Sequence, residues 1–200
     1  MRPLRARHVQ IDQSTGVVVY EAQDPGAAVD LAIAARAPAP YGAVLWDSAI
    51  DVARLLLRWD LRGRRVVDLG CGCGLTVIAA ALRGARVHAT DVDEDVFPAV
   101  HRAAHDQGLD GLVSTGCFDV CGTAALPEAD DVVIADLLYE PALAAAVARR
   151  SLEAWRRGSR VVVGDPERAG RKDFLQLLAG AVDVDFSGNV LVLDQEQPWP

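Results

Sequence analysis

Basic charge is scarce in this chain of 200 residues: twenty Lys and Arg face twenty-eight Asp and Glu, a formal net charge of −8. A phosphate backbone normally calls for the opposite, a basic face, so no nucleic-acid partner is expected. Long apolar runs are also missing. The most apolar stretches, Leu75 to Leu82 and Val132 to Ile134, fall well short of the roughly 20 residues that a membrane span needs, so no membrane association is expected. The start, MRPLRARHVQ, carries arginines but no apolar h-region after them, which argues against a secretory signal and for a cytoplasmic location. Only four cysteines are present, at 71, 73, 117 and 121. Their spacings match no two-plus-two zinc pattern, so no metal is expected and the cysteines read as buried, reduced thiols.

What is present is the balance of a globular protein, 51% apolar and 24% charged, with length for one domain of ordinary size. No repeat or low-complexity tract interrupts it. Residues 1–45 read as an N-terminal extension of the same domain, in which HVQI and VVVYEA flank Gln13-Ser14-Thr15-Gly16 as a β-hairpin. The prolines of ARAPAPYG break any helix begun at Ala27. The core then occupies residues 46–200. Ser48 and Asp51 form a capping-box signature ahead of a helix running toward Gly63.

From Arg64 the pattern alternates. RRVVDLG, ARVHATD, VSTGCFDV, DDVVIADLL and RVVVGD read as strands, with helices between them at LTVIAAALRG, Val96 to Gln107 and Pro141 to Arg157. Such alternation predicts an α/β fold, a mostly parallel sheet with helices on both faces. A helix near Lys172 to Leu178 precedes AVDVDF and NVLVLDQ, which are separated by Ser187-Gly188 and read as a closing hairpin with one antiparallel strand.

DLGCGCG, residues 68–74, ends a strand and opens a helix, the place where glycines let a ligand approach backbone at a helix N-terminus. The dinucleotide fingerprint would want a small residue where Leu75 stands. Gly70, Gly72 and Gly74 alternate instead, and Asp68 precedes them. A carboxylate there would repel a pyrophosphate and attract a ligand carrying an ammonium group. Asp91, ending the second strand, is placed to accept from both hydroxyls of a ribose. Asp119, ending the third, suits the exocyclic amine of an adenine or a solvated loop.

These residues carry a resemblance. From about Tyr41 to Gly170 the chain resembles the class I S-adenosylmethionine-dependent methyltransferases, with DLGCGCG as their first motif and Asp91 as their ribose acid. The resemblance implies a Rossmann-like fold with seven strands in the order 3-2-1-4-5-7-6, strand 7 antiparallel. It implies S-adenosyl-L-methionine as cofactor, bound by Trp46, Asp68, Gly70, Cys71, Gly72, Gly74, Asp91, Val92, Asp119 and Asp136. VLWDSA and DLLYE are similar to the family sixteen methyltransferases, whose members mostly methylate protein lysines. GDPERAG, residues 164–170, together with Asp136, Tyr139 and Glu140, is most similar to the branch acting on the electron transfer flavoprotein β-subunit. Asp47 stands where that branch usually carries proline.

The implied reaction is an in-line methyl transfer, in which the enzyme chiefly aligns donor and acceptor. A lysine acceptor must first lose its proton. Carboxylates raise an amine's pKa, so Asp136 and Glu140 are expected to recruit and orient the amine, while Tyr139 orients it through its hydroxyl or walls the channel. Trp46 is expected to cover the methionine moiety, with a cation–π contact to the sulfonium or as a plain apolar lid. His88 reads as a packed core histidine, and His101 and His105 as a surface pair four apart on a helix. No histidine is given a catalytic role. Other readings remain open: transfer to a small molecule, a cofactor-holding subunit without turnover and, third, a nicotinamide-dependent oxidoreductase.

Overall fold

The structure is a computed structural model and describes residues 3–27, 30, 34 and 41–195. The prolines of ARAPAPYG lie outside the described residues. Strands β1 (Leu4–Gln10) and β2 (Gly16–Ala22) form the expected hairpin, antiparallel with Leu4 opposite Ala22 and Gln10 opposite Gly16. Its turn is tied by Asp12, whose Oδ1 accepts from the backbone N–H of Ser14 and of Thr15, each at 2.8 Å. The alternation of the two strands turns Val9, Val17 and Val19 inward, where they join the main apolar cluster.

Helix α1 (Asp47–Leu56) begins ahead of the expected Ser48 cap and stops sooner than its sequence pattern predicts. Trp46 is its N-cap residue and makes no side-chain cap bond. Ser48, expected to cap, sits inside the first turn with its hydroxyl turned to Asp136. Asp51 pairs with Arg54 at 2.9 Å and accepts from Asn189. The capping-box pattern therefore reflects two tertiary contacts rather than a cap.

The remaining elements are β3 (Arg65–Leu69), α2 (Leu75–Leu82), β4 (Arg86–Asp91), α3 (Phe97–Asp106), β5 (Val113–Cys117), β6 (Asp131–Ala135), α4 (Pro141–Arg156), β7 (Arg160–Gly164), α5 (Arg171–Leu178) and β8 (Val190–Leu193). The sheet runs β5-β4-β3-β6-β7-β8, with β8 alone antiparallel, on β7. Counted from β3, this is the expected order 3-2-1-4-5-7, so the sheet has six strands among the described residues rather than seven. The missing strand is AVDVDF. Val182, Val184 and Phe186 do face the core, and Phe186 packs on Phe174 with ring centroids 6.2 Å apart. Their backbone makes no ladder, because only the bridge between Ser187 and Val190 closes the turn around Gly188.

Central strands β3 and β6 are buried on both faces, mostly by Val, Leu and Ile, as a sheet covered on both sides requires. One apolar cluster lies under α1, α2, α3 and the hairpin, and the other under α4 and α5. Pro98 falls in the first turn of α3, where its missing N–H costs nothing. Among the described residues no helix is long and apolar enough to cross a membrane.

Candidate functional site

The chain leaves β3 to build β4 and then the edge strand β5, and returns to β6 on the other side of β3. Where such a strand order reverses, the loops at the carboxyl ends part and leave a crevice. A cavity of about 950 Å³ occupies it, lined by residues from the ends of β3, β4, β5 and β6 and by the segment from Tyr41 to Trp46.

The glycine loop forms its floor. The N–H groups of Gly70 and Cys71 both donate to the Thr90 carbonyl at 2.8 Å, so the turn is fastened to β4 before α2 begins. Gly70 and Gly72 are left-handed, with φ of 72° and 50°. A Cβ on Gly70 would lie 2.7 Å from the Leu137 side chain, and one on Gly72 would lie 3.1 Å from the Gly42 carbonyl oxygen. Glycine is thus required twice over, by conformation and by space. Gly74 is the left-handed N-cap residue of α2.

Asp91 is the carboxylate that this loop presents. It is largely buried, and Oδ2 accepts from the Gly72 N–H at 3.1 Å while Oδ1 accepts from the Asp93 N–H at 3.0 Å. Burial raises its pKa, against the lowering effect of those two amides. Asp68 has another place: it is absent from the cavity wall, and its Oδ2 accepts from the Thr76 hydroxyl. Its Oδ1 is buried with no partner, and burial pushes the Asp68 carboxyl up to about 7. Thr76 stands on the wall where Asp68 was expected.

Cys71 lines the cavity and is buried, as is Cys73; burial holds the first thiol well above its ordinary value and pushes the second up to about 12. Both stay thiols at neutral pH. Cys117 and Cys121 are exposed, contrary to the buried reading, because the strand end that carries them is open to solvent. Val92 and Asp119 are on the wall too. Val92 is exposed, and Asp119 Oδ1 accepts from the Cys121 N–H at 2.8 Å, which shapes the loop after β5.

The opposite wall carries the aromatic and acidic groups. Trp46 is pinned by its indole N–H to the Tyr41 carbonyl at 2.9 Å, and Tyr41 meets Tyr139 edge-on with centroids 5.6 Å apart. Tyr139 is partly exposed, and burial together with the charges of Glu140 and Asp91 raises its pKa, so the phenol keeps its proton. Glu140 is the N-cap residue of α4 and is exposed, with no side-chain cap bond. Asp136 is left-handed, with φ of 60°, and buried. Both of its oxygens are engaged: Oδ2 accepts from the Ser48 N–H and hydroxyl, and Oδ1 from the Arg168 guanidinium at 2.8–2.9 Å. Arg168 also lies 5.0 Å from the Trp46 ring centroid.

Asp91, Gly70, Cys71, Gly72, Val92, Trp46, Asp119, Asp136, Tyr139 and Glu140 therefore come together in one cavity, and Asp68 and Gly74 do not join them. Sequence reasoning missed Ser48 and Arg168. Nothing in the spacing of GDPERAG announces that its arginine reaches back to the end of β6. His88 sits mid-strand beside Ser114 Oγ, at 3.0 Å, and His101 and His105 bond Thr115 and Asp110 away from the cavity wall. Among the described residues no group of His, Cys, Asp and Glu is arranged to hold a metal.

Comparison with known proteins gives a consistent set of similarities. The family model described as ribosomal protein L11 methyltransferase (PrmA) matches residues 53–154. An electron transfer flavoprotein β-subunit lysine methyltransferase of Danio rerio is 34% identical over 146 residues, 68% of this chain and 54% of that protein. A ribosomal protein L11 methyltransferase of Methylococcus capsulatus is 36% identical over 115 residues, 54% of this chain and 37% of that protein. The chain thus spans about half the length, or less, of these relatives. Among solved structures, a precorrin 8w decarboxylase of Methanobacterium thermoautotrophicum superposes with a TM-score of 0.58 at 20% identity, covering 74% of this chain and 91% of that one. The O-methyltransferase TomG of Streptomyces achromogenes, solved in complex with SAM, gives 0.54 at 18%, covering 88% and 91%. These two likenesses establish the fold.

Proposed function

This chain belongs to the ribosomal protein L11 methyltransferase (PrmA) family, and on that premise we propose that it transfers the methyl group of S-adenosyl-L-methionine to the side-chain amine of a protein lysine. One observation carries the reading: a glycine cradle with a buried carboxylate, Asp91, shares a cavity with an uncommitted carboxylate, Glu140, beside a neutral phenol, Tyr139. The residues fit the cofactor. A left-handed glycine loop leaves room for a ligand against its backbone, and Asp91 stands at the end of β4, where it can accept from ribose hydroxyls. The cofactor, once bound, supplies an electrophilic methyl on a sulfonium.

The chain's own residues then have to bring a neutral amine into line with that methyl. At pH 7.4 a lysine of ordinary pKa is protonated, and neutralising it costs about 4 kcal/mol. Glu140 at the mouth attracts the ammonium form from solvent, and it also raises the amine's pKa, so its part is recruitment. The proton leaves to water at the open mouth. Tyr139, holding its own proton, orients the amine through its hydroxyl oxygen. Trp46 closes the wall; a cation–π role toward the sulfonium competes with the Arg168 cation already beside its ring.

The two substrates named for its relatives, the electron transfer flavoprotein β-subunit and ribosomal protein L11, are the first to try. The protein is incubated with methyl-labelled cofactor and each of these, and in parallel with a lysate. Label on a protein lysine, found by mass spectrometry, is the expected result. Label confined to small molecules would move the activity to a metabolite acceptor, and no label at all would overturn the proposal.

A further inference from the structure

Arg168 is the one arginine or lysine on the cavity wall among the described residues, and the mechanism above gives it no part. Its position is heavily determined. The turn from β7 to α5 is bent by the left-handed Glu167, with φ of 64°, and held by Asp165, whose Oδ2 accepts from the Arg168 N–H at 3.1 Å and the Arg171 guanidinium at 2.7 Å. Gly170 locks the turn to the next segment: its N–H donates to the Leu138 carbonyl at 2.9 Å, and a Cβ there would lie 2.6 Å from that of Ala144. That segment is the one carrying Tyr139 and Glu140. From this base Arg168 reaches Asp136 with two nitrogens and lies against Trp46.

We propose that Arg168 is a positioning residue of the acceptor side: by occupying Asp136 it cancels a carboxylate that would otherwise capture the incoming ammonium, and so directs the amine to Glu140 and Tyr139. The physical reason is the contrast between the two acids. Asp136 has a side chain only 2% exposed, with both oxygens engaged, whereas Glu140 is open to solvent. Without the guanidinium, Asp136 keeps Ser48 on Oδ2 but has no counter-charge, a carboxylate on a low-dielectric wall that traps a cation more strongly than Glu140 and is set deeper than it. A fork-shaped, permanently charged side chain suits the task.

The inference rests on the reading of the mouth as an amine site, so one of its tests needs no turnover. Propylammonium is titrated by NMR into the full chain with S-adenosylhomocysteine present. Arg168→Gln is expected to bind it at least threefold more tightly than wild type, and the Asp136→Asn/Arg168→Gln double variant no more tightly than wild type. In turnover, with whichever acceptor the labelling experiment finds, Arg168→Gln should lower kcat at least tenfold while KM for the acceptor falls or holds. The double variant should recover to within about threefold of Asp136→Asn alone. Arg168→Lys keeps the charge, so it should stay near wild type in propylammonium binding, and it serves if the glutamine variant does not fold. Unchanged or weaker propylammonium binding in Arg168→Gln, tighter binding in Arg168→Lys, or single-variant losses that multiply in the double variant would each overturn the proposal. A wild type that methylates nothing would sink the proposed function and leave the binding test standing.

Discussion

Asp68 and Asp91 stand near the carboxyl ends of neighbouring strands and meet opposite environments. Asp91 opens on the cavity, and Asp91→Ala in a folded protein should weaken S-adenosylmethionine binding by about 1.5–3 kcal/mol, the worth of hydrogen bonds to a charged group. Calorimetry checks it, and an unchanged dissociation constant would remove Asp91 from the site. Asp68 is wholly covered, with one oxygen orphaned, and its carboxyl is pushed up to about 7 from 3.8. The sign of the linkage follows. The folded state holds this proton more tightly than the unfolded state, so Asp68 costs nothing below about pH 4. It lowers stability progressively as pH rises toward 7, and the loss is constant above that. The full loss is of order 4 kcal/mol. Urea unfolding from pH 4 to 8 should show wild type losing stability relative to Asp68→Asn across that window; parallel curves would mean that Asp68 is charged throughout. Sequence alone could rank the two acids by position but not by burial, because the Thr76 hydroxyl that takes Asp68 inward lies on the following helix. The same limit explains Asp136. Its place at the end of β6 was legible, whereas its bonds to Ser48 and Arg168 come from elements 88 and 32 residues away.

Among the elements, the strands and helices from β3 to β7 were legible because their signals are local: β-branched runs ended by glycine or aspartate, and helices closed by Gly84, Gly108 and Gly158, all left-handed. The closing hairpin was not. AVDVDF alternates as a strand should, yet apolar alternation specifies only which side faces the core, and pairing needs a partner edge in register. Amides of Asp183, Val184 and Asp185 should therefore exchange with solvent far faster than those of Leu191 and Val192, which pair with β7. Comparable protection in both segments would show a seventh strand in solution. Helix α4 has an equally specific role, since Arg150 is 2% exposed and bonds the carbonyls of Val120 and Gly122 and the Glu153 carboxylate while stacking on Phe118. Losing a buried, paired charge leaves its partners stranded, so Arg150→Ala should destabilise the fold by about 3 kcal/mol. It should also loosen the loop after β5, which forms the Asp119 side of the cavity. Chemical denaturation measures the first effect and amide exchange at Cys121 and Gly122 the second.

For the molecule as a whole, the strand order gathers the cavity residues that follow β3, β4, β5 and β6 at one end of the sheet, and the N-terminal hairpin decides whether the facing segment from Tyr41 to Trp46 is held. Val9, Ile11, Val17 and Val19 are buried in the same cluster as Cys73, Leu75 and Val100. Covering four such side chains is worth about 1.5–3 kcal/mol each as an upper bound, which sums to the size of a domain's entire stability. The hairpin also reaches the site. Glu21, 2% exposed on β2, is paired with Arg5 and Arg7 and accepts from the Leu45 N–H at 3.3 Å, fastening the segment that ends in Trp46. Gln107 Nε2 at the end of α3 donates to the Val18 carbonyl at 3.0 Å, so the hairpin is bonded to the helix behind the glycine loop as well. A chain cut to residues 41–200, which keeps the cavity wall from Tyr41 to Trp46, is consequently expected to lose cooperative unfolding and S-adenosylmethionine binding together, while the milder Glu21→Gln variant should stay folded and bind the cofactor several-fold more weakly. Thermal melts followed by circular dichroism, with calorimetry on the same samples, distinguish the outcomes. A truncated chain that melts sharply within a few degrees of the full chain and binds as well would make the hairpin an appended layer, and the fold of the cavity would then have to be self-sufficient from Tyr41 onward.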